Sequence, residues 1–130
     1  MDQPRAASVL VVDDDKNQRN MLCFALQNRG YRVVAVASGA EALEQARSTP
    51  FDAAVCDVMM PGVDGLATLK GLKEAQPGLE VIMATGYGTA ETALRSKRMG
   101  AFNYLAKPYE LPELLDVLER ALRRRPETGS

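Results

Sequence analysis

Two hydrophobic periods alternate along this chain. Short continuous apolar runs are separated by longer stretches in which apolar residues recur every three or four positions. The first run, Val9-Leu10-Val11-Val12, ends at Asp13-Asp14-Asp15 and suits a strand buried on both faces. Residues 16–29 then read as a helix, with Met21, Leu22, Ala25 and Leu26 at helical spacing and Gly30 placed to end it. A second strand is predicted over Arg32–Ala37. Ser38-Gly39-Ala40-Glu41 has the form of a capping box and opens a helix through Ala46, before Pro50. Phe51–Asp57 is the third strand, broken soon after by Pro61-Gly62. Asp64 is placed to cap a third helix that carries Leu66, Leu69 and Leu72 and stops near Pro77-Gly78. Val81–Ala84 forms a fourth strand closing at Thr85, and Gly86-Tyr87-Gly88 a turn. Residues 89–99 form a fourth helix ended by Gly100. Phe102–Ala106 is a short fifth strand before Lys107-Pro108. The final helix sets Leu111, Leu114, Leu115, Leu118 and Leu122 on one face, ends in Arg123-Arg124-Arg125 and stops at Pro126.

Five strand-then-helix repeats predict an α/β domain, a parallel sheet with helices on both faces. The expected limits are a loose N-terminus over residues 1–7, one domain over 8–125 and a linker over 126–130. The chain's 130 residues fit one such domain. Composition changes the picture little: 46% hydrophobic and 25% charged residues are ordinary for a soluble globular protein. A net charge of -1 speaks against general attraction to nucleic acid or anionic membrane. No apolar run is long enough to cross a bilayer, and residues 1–8 hold no secretory h-region. Cys23 and Cys56 sit in apolar patterns without motif spacing and are expected to be reduced and buried. With no histidine and no CxxC, a zinc site is not expected. The expected location is cytoplasmic.

The chemistry lies at the strand ends. Asp57 closes an apolar strand, and a charge there is costly unless it meets a counter-charge or donors. In an open parallel sheet the carboxyl ends of the strands share one edge, where ligands bind. Asp13, Asp14, Asp15 and Asp57 stand at that edge, with the Thr85 hydroxyl and the Lys107 ammonium. Clustered carboxylates repel unless a cation neutralises them, and an all-oxygen donor set suits Mg²⁺. Carboxylates, a metal, a hydroxyl and a lysine together suit phosphoryl transfer, with a carboxylate as possible nucleophile.

The combination VVDDD, CDVMMPGVDG, ATG and YLAKP resembles the receiver domain of two-component response regulators, over about Ser8 to Leu122. TGYG with GAFNYLAKP is most similar to receivers that precede σ54-dependent transcriptional activators. The resemblance implies a flavodoxin-like (βα)5 fold with strand order 2-1-3-4-5. It implies Asp57 as phosphoacceptor from a sensor histidine kinase or a small donor such as acetyl phosphate. Asp14 matches the direct Mg²⁺ ligand, Asp13 the acid that holds the metal through water, and Met59 a backbone-carbonyl ligand. Lys107 would pair with a phosphoryl oxygen, Thr85 would swing toward it, and Tyr104 matches the aromatic switch. The helix 4–strand 5–helix 5 face would then change shape and be read by an output domain, a partner or a second copy, with transcription the expected output. Direct nucleic-acid contact by this domain and membrane contact are not expected. Such a domain is no enzyme in the usual sense, since it catalyses only its own phosphorylation and slow dephosphorylation. By the same resemblance Met59 and Tyr87 would flank the path of an attacking water, and neither offers a strong way to orient one, so self-dephosphorylation is expected to be slow.

Plainer readings stand beside these. Asp15 suits a helix cap. Thr85 and Lys107 are residues a turn or surface could hold, Tyr104 one a core could hold. Arg123–Arg125 read as a solvated helix end, and Arg95, Lys97 and Arg98 as a solvated or partner-facing surface. A haloacid-dehalogenase-like phosphatase would use Asp13, but its Asp-x-Asp-x-Thr/Val pattern meets Asn17 here. A phosphorylation-independent interaction module and a flavin-binding fold remain as alternatives. Four acids would repel a flavin phosphate.

Overall fold

A computed structural model describes residues 6–57, 62–85, 90–106 and 108–124. The chain runs β1 (Ser8–Asp13), α1 (Lys16–Asn28), β2 (Arg32–Val36), α2 (Gly39–Ser48), β3 (Ala53–Asp57), α3 (Gly62–Ala75), β4 (Glu80–Thr85), α4 (Ala90–Arg98), β5 (Asn103–Ala106) and α5 (Leu111–Arg124). All pairings are parallel, in the order β2-β1-β3-β4-β5. The predicted α/β class and strand order therefore hold.

Period-two alternation divides the strand residues between two cores. Leu10, Val12, Ala54, Cys56, Val81 and Met83 face α2 and α3, where Ala42, Ala46, Leu69 and Leu72 are buried. Val9, Val11, Ala53, Val55, Ile82 and Ala84 face α1 and α5, where Leu22, Leu26, Leu114, Val117, Leu118 and Ala121 are buried. Both faces of the sheet are thus covered, which is why its central strands read as unbroken apolar runs.

Local signals account for both ends of α1 and the start of α2. Asp15 caps α1, and Gly30 follows it at φ 90°, a left-handed conformation that glycine accepts without a Cβ penalty. At α2 the Ser38 Oγ accepts from the Glu41 N–H (3.2 Å). Glu41 reaches back to the Ala37 N–H (2.9 Å), one residue before the cap.

Several expectations shift. Helix α2 runs to Ser48 rather than Ala46. Helix α3 starts at Gly62, so Asp64 lies in its first turn and is not its cap. Phe51 precedes β3, and its N–H donates to the Gln76 side chain (2.9 Å). Gln76 also donates to the Ala46 (2.8 Å) and Thr49 (2.6 Å) carbonyls, closing the ends of α2 and α3 onto the start of β3. Met21 is not a core residue: it is 49% exposed, beside Phe24 at 67%, while Leu22 and Leu26 are buried. The two cysteines are free, and Cys56 is buried as expected, but Cys23 is only half-buried.

Candidate functional site

The acidic run after β1 separates into three environments. Asp13 is completely buried, and its Oδ1 accepts from the Asp15 N–H at 2.8 Å. Asp14 is exposed. Asp15 caps α1, its Oδ1 accepting from the Gln18 N–H at 3.1 Å. Two further contacts converge here. The Arg19 Nη1 donates to the main-chain carbonyl of Asp13 at 2.8 Å. The Gln18 Nε2 donates to the Tyr109 hydroxyl at 3.3 Å, joining α1 to the segment just after β5.

Sheet register aligns the other strand ends. Asp13 is the direct partner of Asp57, Asp57 of Ala84, and Ala84 of Leu105; one position on, Thr85 partners Ala106. Neighbouring strands lie about 4.8 Å apart, so the Asp57 backbone sits one strand spacing from Asp13 on one side and from Ala84 on the other. Lys107 follows Ala106 directly in sequence. Lys107, Met59 and Tyr87 lie outside the described residues, as do the side chains of Asp57 and Thr85.

Tyr104 stands on β5 opposite Met83 and packs against the core under α2 and α3. Its hydroxyl oxygen is buried and has no hydrogen-bond partner among the described residues. Burial pushes the phenol above its ordinary value of 10.0.

The donor set fits a hard divalent cation. Asp13 and Asp14 are adjacent acids, one completely buried and one open to solvent, and every candidate ligand atom is oxygen. Among the described side chains no three metal-ligating residues come together; Asp13 and Asp14 are the described members of the set. Acids brought to one sheet edge beside a strand-end Thr can bind a cation and a phosphoryl group together.

Arg19 and the Gln18–Tyr109 bond were not anticipated from the sequence. One signal for Arg19 was present. Helix α1 has no acid in its first turn and carries Lys16 and Arg19 there, against the helix dipole. A cation in that position has a reason to be elsewhere engaged. Nothing in the local pattern marks Gln18 and Tyr109, which are 91 positions apart.

Comparison with known proteins follows the same lines. The family described as "Response regulator receiver domain" matches residues 9–119. The transcriptional regulatory protein ZraR of Salmonella typhimurium is 40% identical over 122 residues, covering 94% of this chain and 28% of ZraR. The DNA-binding transcriptional regulator NtrC of Escherichia coli K12 is 40% identical over 114 residues, covering 88% of this chain and 24% of NtrC. This chain thus spans about a quarter of the length of these relatives. A CheY-like receiver domain protein from Methanospirillum hungatei superposes with a TM-score of 0.87 at 29% identity, over 93% of this chain and 97% of that one. Among the described residues, no helix is long and apolar enough to cross a membrane.

Proposed function

This chain belongs to the response regulator receiver domains, most similar to those of NtrC- and ZraR-type σ54-dependent activators, and from that premise we propose that it is a phosphorylation switch with Asp57 as the phosphoacceptor. The observation that carries the reading is the register: Asp57 is the direct strand partner of a completely buried Asp13, at the end of the sheet where Thr85 also stands. A carboxylate in that company is useful as a nucleophile only if its neighbours' charge is neutralised. Mg²⁺, held by Asp13, Asp14, Asp57 and the Met59 carbonyl, supplies that neutralisation when bound.

The transfer itself asks little covalent chemistry of the protein. An Asp57 oxygen attacks phosphorus. The bond from phosphorus to the donor breaks, to an imidazole nitrogen of a kinase histidine or to an acetate oxygen. The electron pair leaves with the donor: acetyl phosphate releases acetate, and a phosphohistidine releases neutral imidazole when the ring's other nitrogen carries, and keeps, its proton. Lys107 pairs with a phosphoryl oxygen and Thr85 donates its hydroxyl to another. Phosphorylation adds charge and acceptor oxygens at Asp57. Thr85 and Tyr104 then repack, and the face formed by α4, β5 and α5 shifts its population toward a form read by an output domain or a second copy. Transcriptional control is the proposed output, by way of the longer proteins to which this chain is similar. Met59 and Tyr87 leave the phosphoryl group poorly served by water, so Met59→Asn with Tyr87→Glu is expected to shorten its lifetime.

The test is intact-mass measurement after incubation with acetyl phosphate and Mg²⁺. One added phosphoryl group is expected in the wild type, none in Asp57→Asn and none under chelation. An adduct that persists in Asp57→Asn sinks the assignment and favours the phosphatase-like use of Asp13.

A further inference from the structure

We propose that Arg19 is a positioning residue for the acid pair: by holding the Asp13 carbonyl it fixes the peptide unit between Asp13 and Asp14 and so aims the Asp14 carboxylate at the divalent cation. The inference rests on the reading of Asp13, Asp14 and Asp57 as a cation site.

Strand pairing explains why a side chain is needed there. The register of β1 with β2 ends at Val12 and Val36, whereas that of β1 with β3 continues to Asp13 and Asp57. The Asp13 carbonyl therefore lies one residue past the end of the β2 ladder, and it takes a donor from Arg19 instead (2.8 Å). A guanidinium bond of this length is charge-assisted and directional. Its origin is fixed as well. The Arg19 N–H donates to the Asp15 carbonyl (2.8 Å), so the residue is anchored in α1, and helical side chains lean back toward the helix N-terminus. The half-buried Arg19 also lines an open pocket with Ala35, Val36 and Ala37 at the end of β2 and Glu41 and Glu44 of α2.

Asp13 is consequently held at two points, its carboxylate by the Asp15 N–H and its carbonyl by Arg19. Asp14 lies between them, exposed, with the backbone as the support for its carboxylate. Loss of the Arg19 bond frees the peptide plane that sets Asp14's direction.

Positioning and simple charge predict opposite signs, which makes the inference testable. A positive charge beside a cation site weakens cation binding by Coulomb repulsion, so a purely electrostatic role for Arg19 means tighter Mg²⁺ binding once it is removed. A positioning role means weaker binding, as for partners that orient metal ligands elsewhere, by about tenfold. The experiment is a Mg²⁺ titration of the intact chain, read by backbone amide chemical shifts, for wild type, Arg19→Met, Arg19→Lys and Asp14→Asn. The expected result is loss of binding in Asp14→Asn, a dissociation constant raised about tenfold in Arg19→Met, and a smaller rise in Arg19→Lys, which keeps the charge but not the planar fork. Unchanged or tighter binding in Arg19→Met overturns the proposal, whatever happens to its urea midpoint. If Arg19→Met does not fold, Arg19→Lys decides by the same sign. Wild-type binding that survives Asp14→Asn undiminished sinks the underlying cation-site reading, and this proposal with it.

Discussion

Tyr104 holds two opposing tendencies in one side chain. Its ring packs against the core under α2 and α3, while its buried hydroxyl has no partner among the described residues. An unsatisfied buried hydroxyl costs about 1–3 kcal/mol. Tyr104→Phe is therefore expected to raise stability by about 1 kcal/mol in urea unfolding; a loss of that size instead means the hydroxyl is bonded. The pH dependence has a definite sign. Burial raises the folded-state value above 10.0, so the neutral phenol is favoured by folding. Its contribution is complete below the ordinary value and is lost as pH climbs through 10.0 toward the folded value. The stability difference between Tyr104→Phe and wild type should thus widen above pH 10, measured by urea midpoints across that range. At this scale the sequence was legible where chemistry is local. Asp15 caps α1 and Ser38 caps α2, because a cap needs only its own neighbours. Arg19's bond and Met21's exposure were not legible: one depends on where β2 pairing stops, the other on which stripe of α1 the sheet covers.

The helices differ in how firmly they are held. Helix α5 buries Leu114, Val117, Leu118 and Ala121. Over α4, the described side chains offer the core only Ser96 fully buried, with Thr92 and Ala93 partly so, and leave Leu94 52% exposed. The Ser96 hydroxyl is turned back onto its own helix, donating to the Thr92 carbonyl (3.0 Å). Local opening follows buried apolar contact, so amide exchange should be markedly faster in α4 than in α5. Equal protection in the two helices contradicts that ranking and weakens α4 as the moving element. Helices α2 and α3 show the reverse. A Cβ built on Gly39 runs into the Thr68 Oγ1, and one on Gly71 reaches the Leu43 Cδ2 at 2.5 Å. Gly39→Ala should cost about 1–3 kcal/mol, with part regained when Thr68 is also made Ala; both are read by thermal unfolding. Element type was legible from periodicity throughout, but boundaries were not. Phe51 left β3 because the Gln76 side chain competes for its N–H, a contact 25 positions away in sequence.

At the scale of the whole molecule, the two-sided sheet follows from unbroken apolar strands, and it places Asp13, Asp57 and Thr85 together at one sheet edge. That convergence was readable because each residue ends its strand. The supporting contacts were not, since they join segments far apart in the chain. Cation binding to the folded form alone must stabilise it by mass action, about 1.4 kcal/mol at ten times the dissociation constant. Mg²⁺ should therefore raise the thermal midpoint of the wild type and leave Asp14→Asn unmoved. The most direct measurement locates the modified residue itself. The protein is phosphorylated with acetyl phosphate and Mg²⁺, the acyl phosphate is reduced with borohydride to homoserine, and peptides are sequenced by mass spectrometry. Reduction is expected at Asp57 and at no other residue; reduction at Asp13 or Asp14 with Asp57 unmodified contradicts Asp57 as the phosphoacceptor.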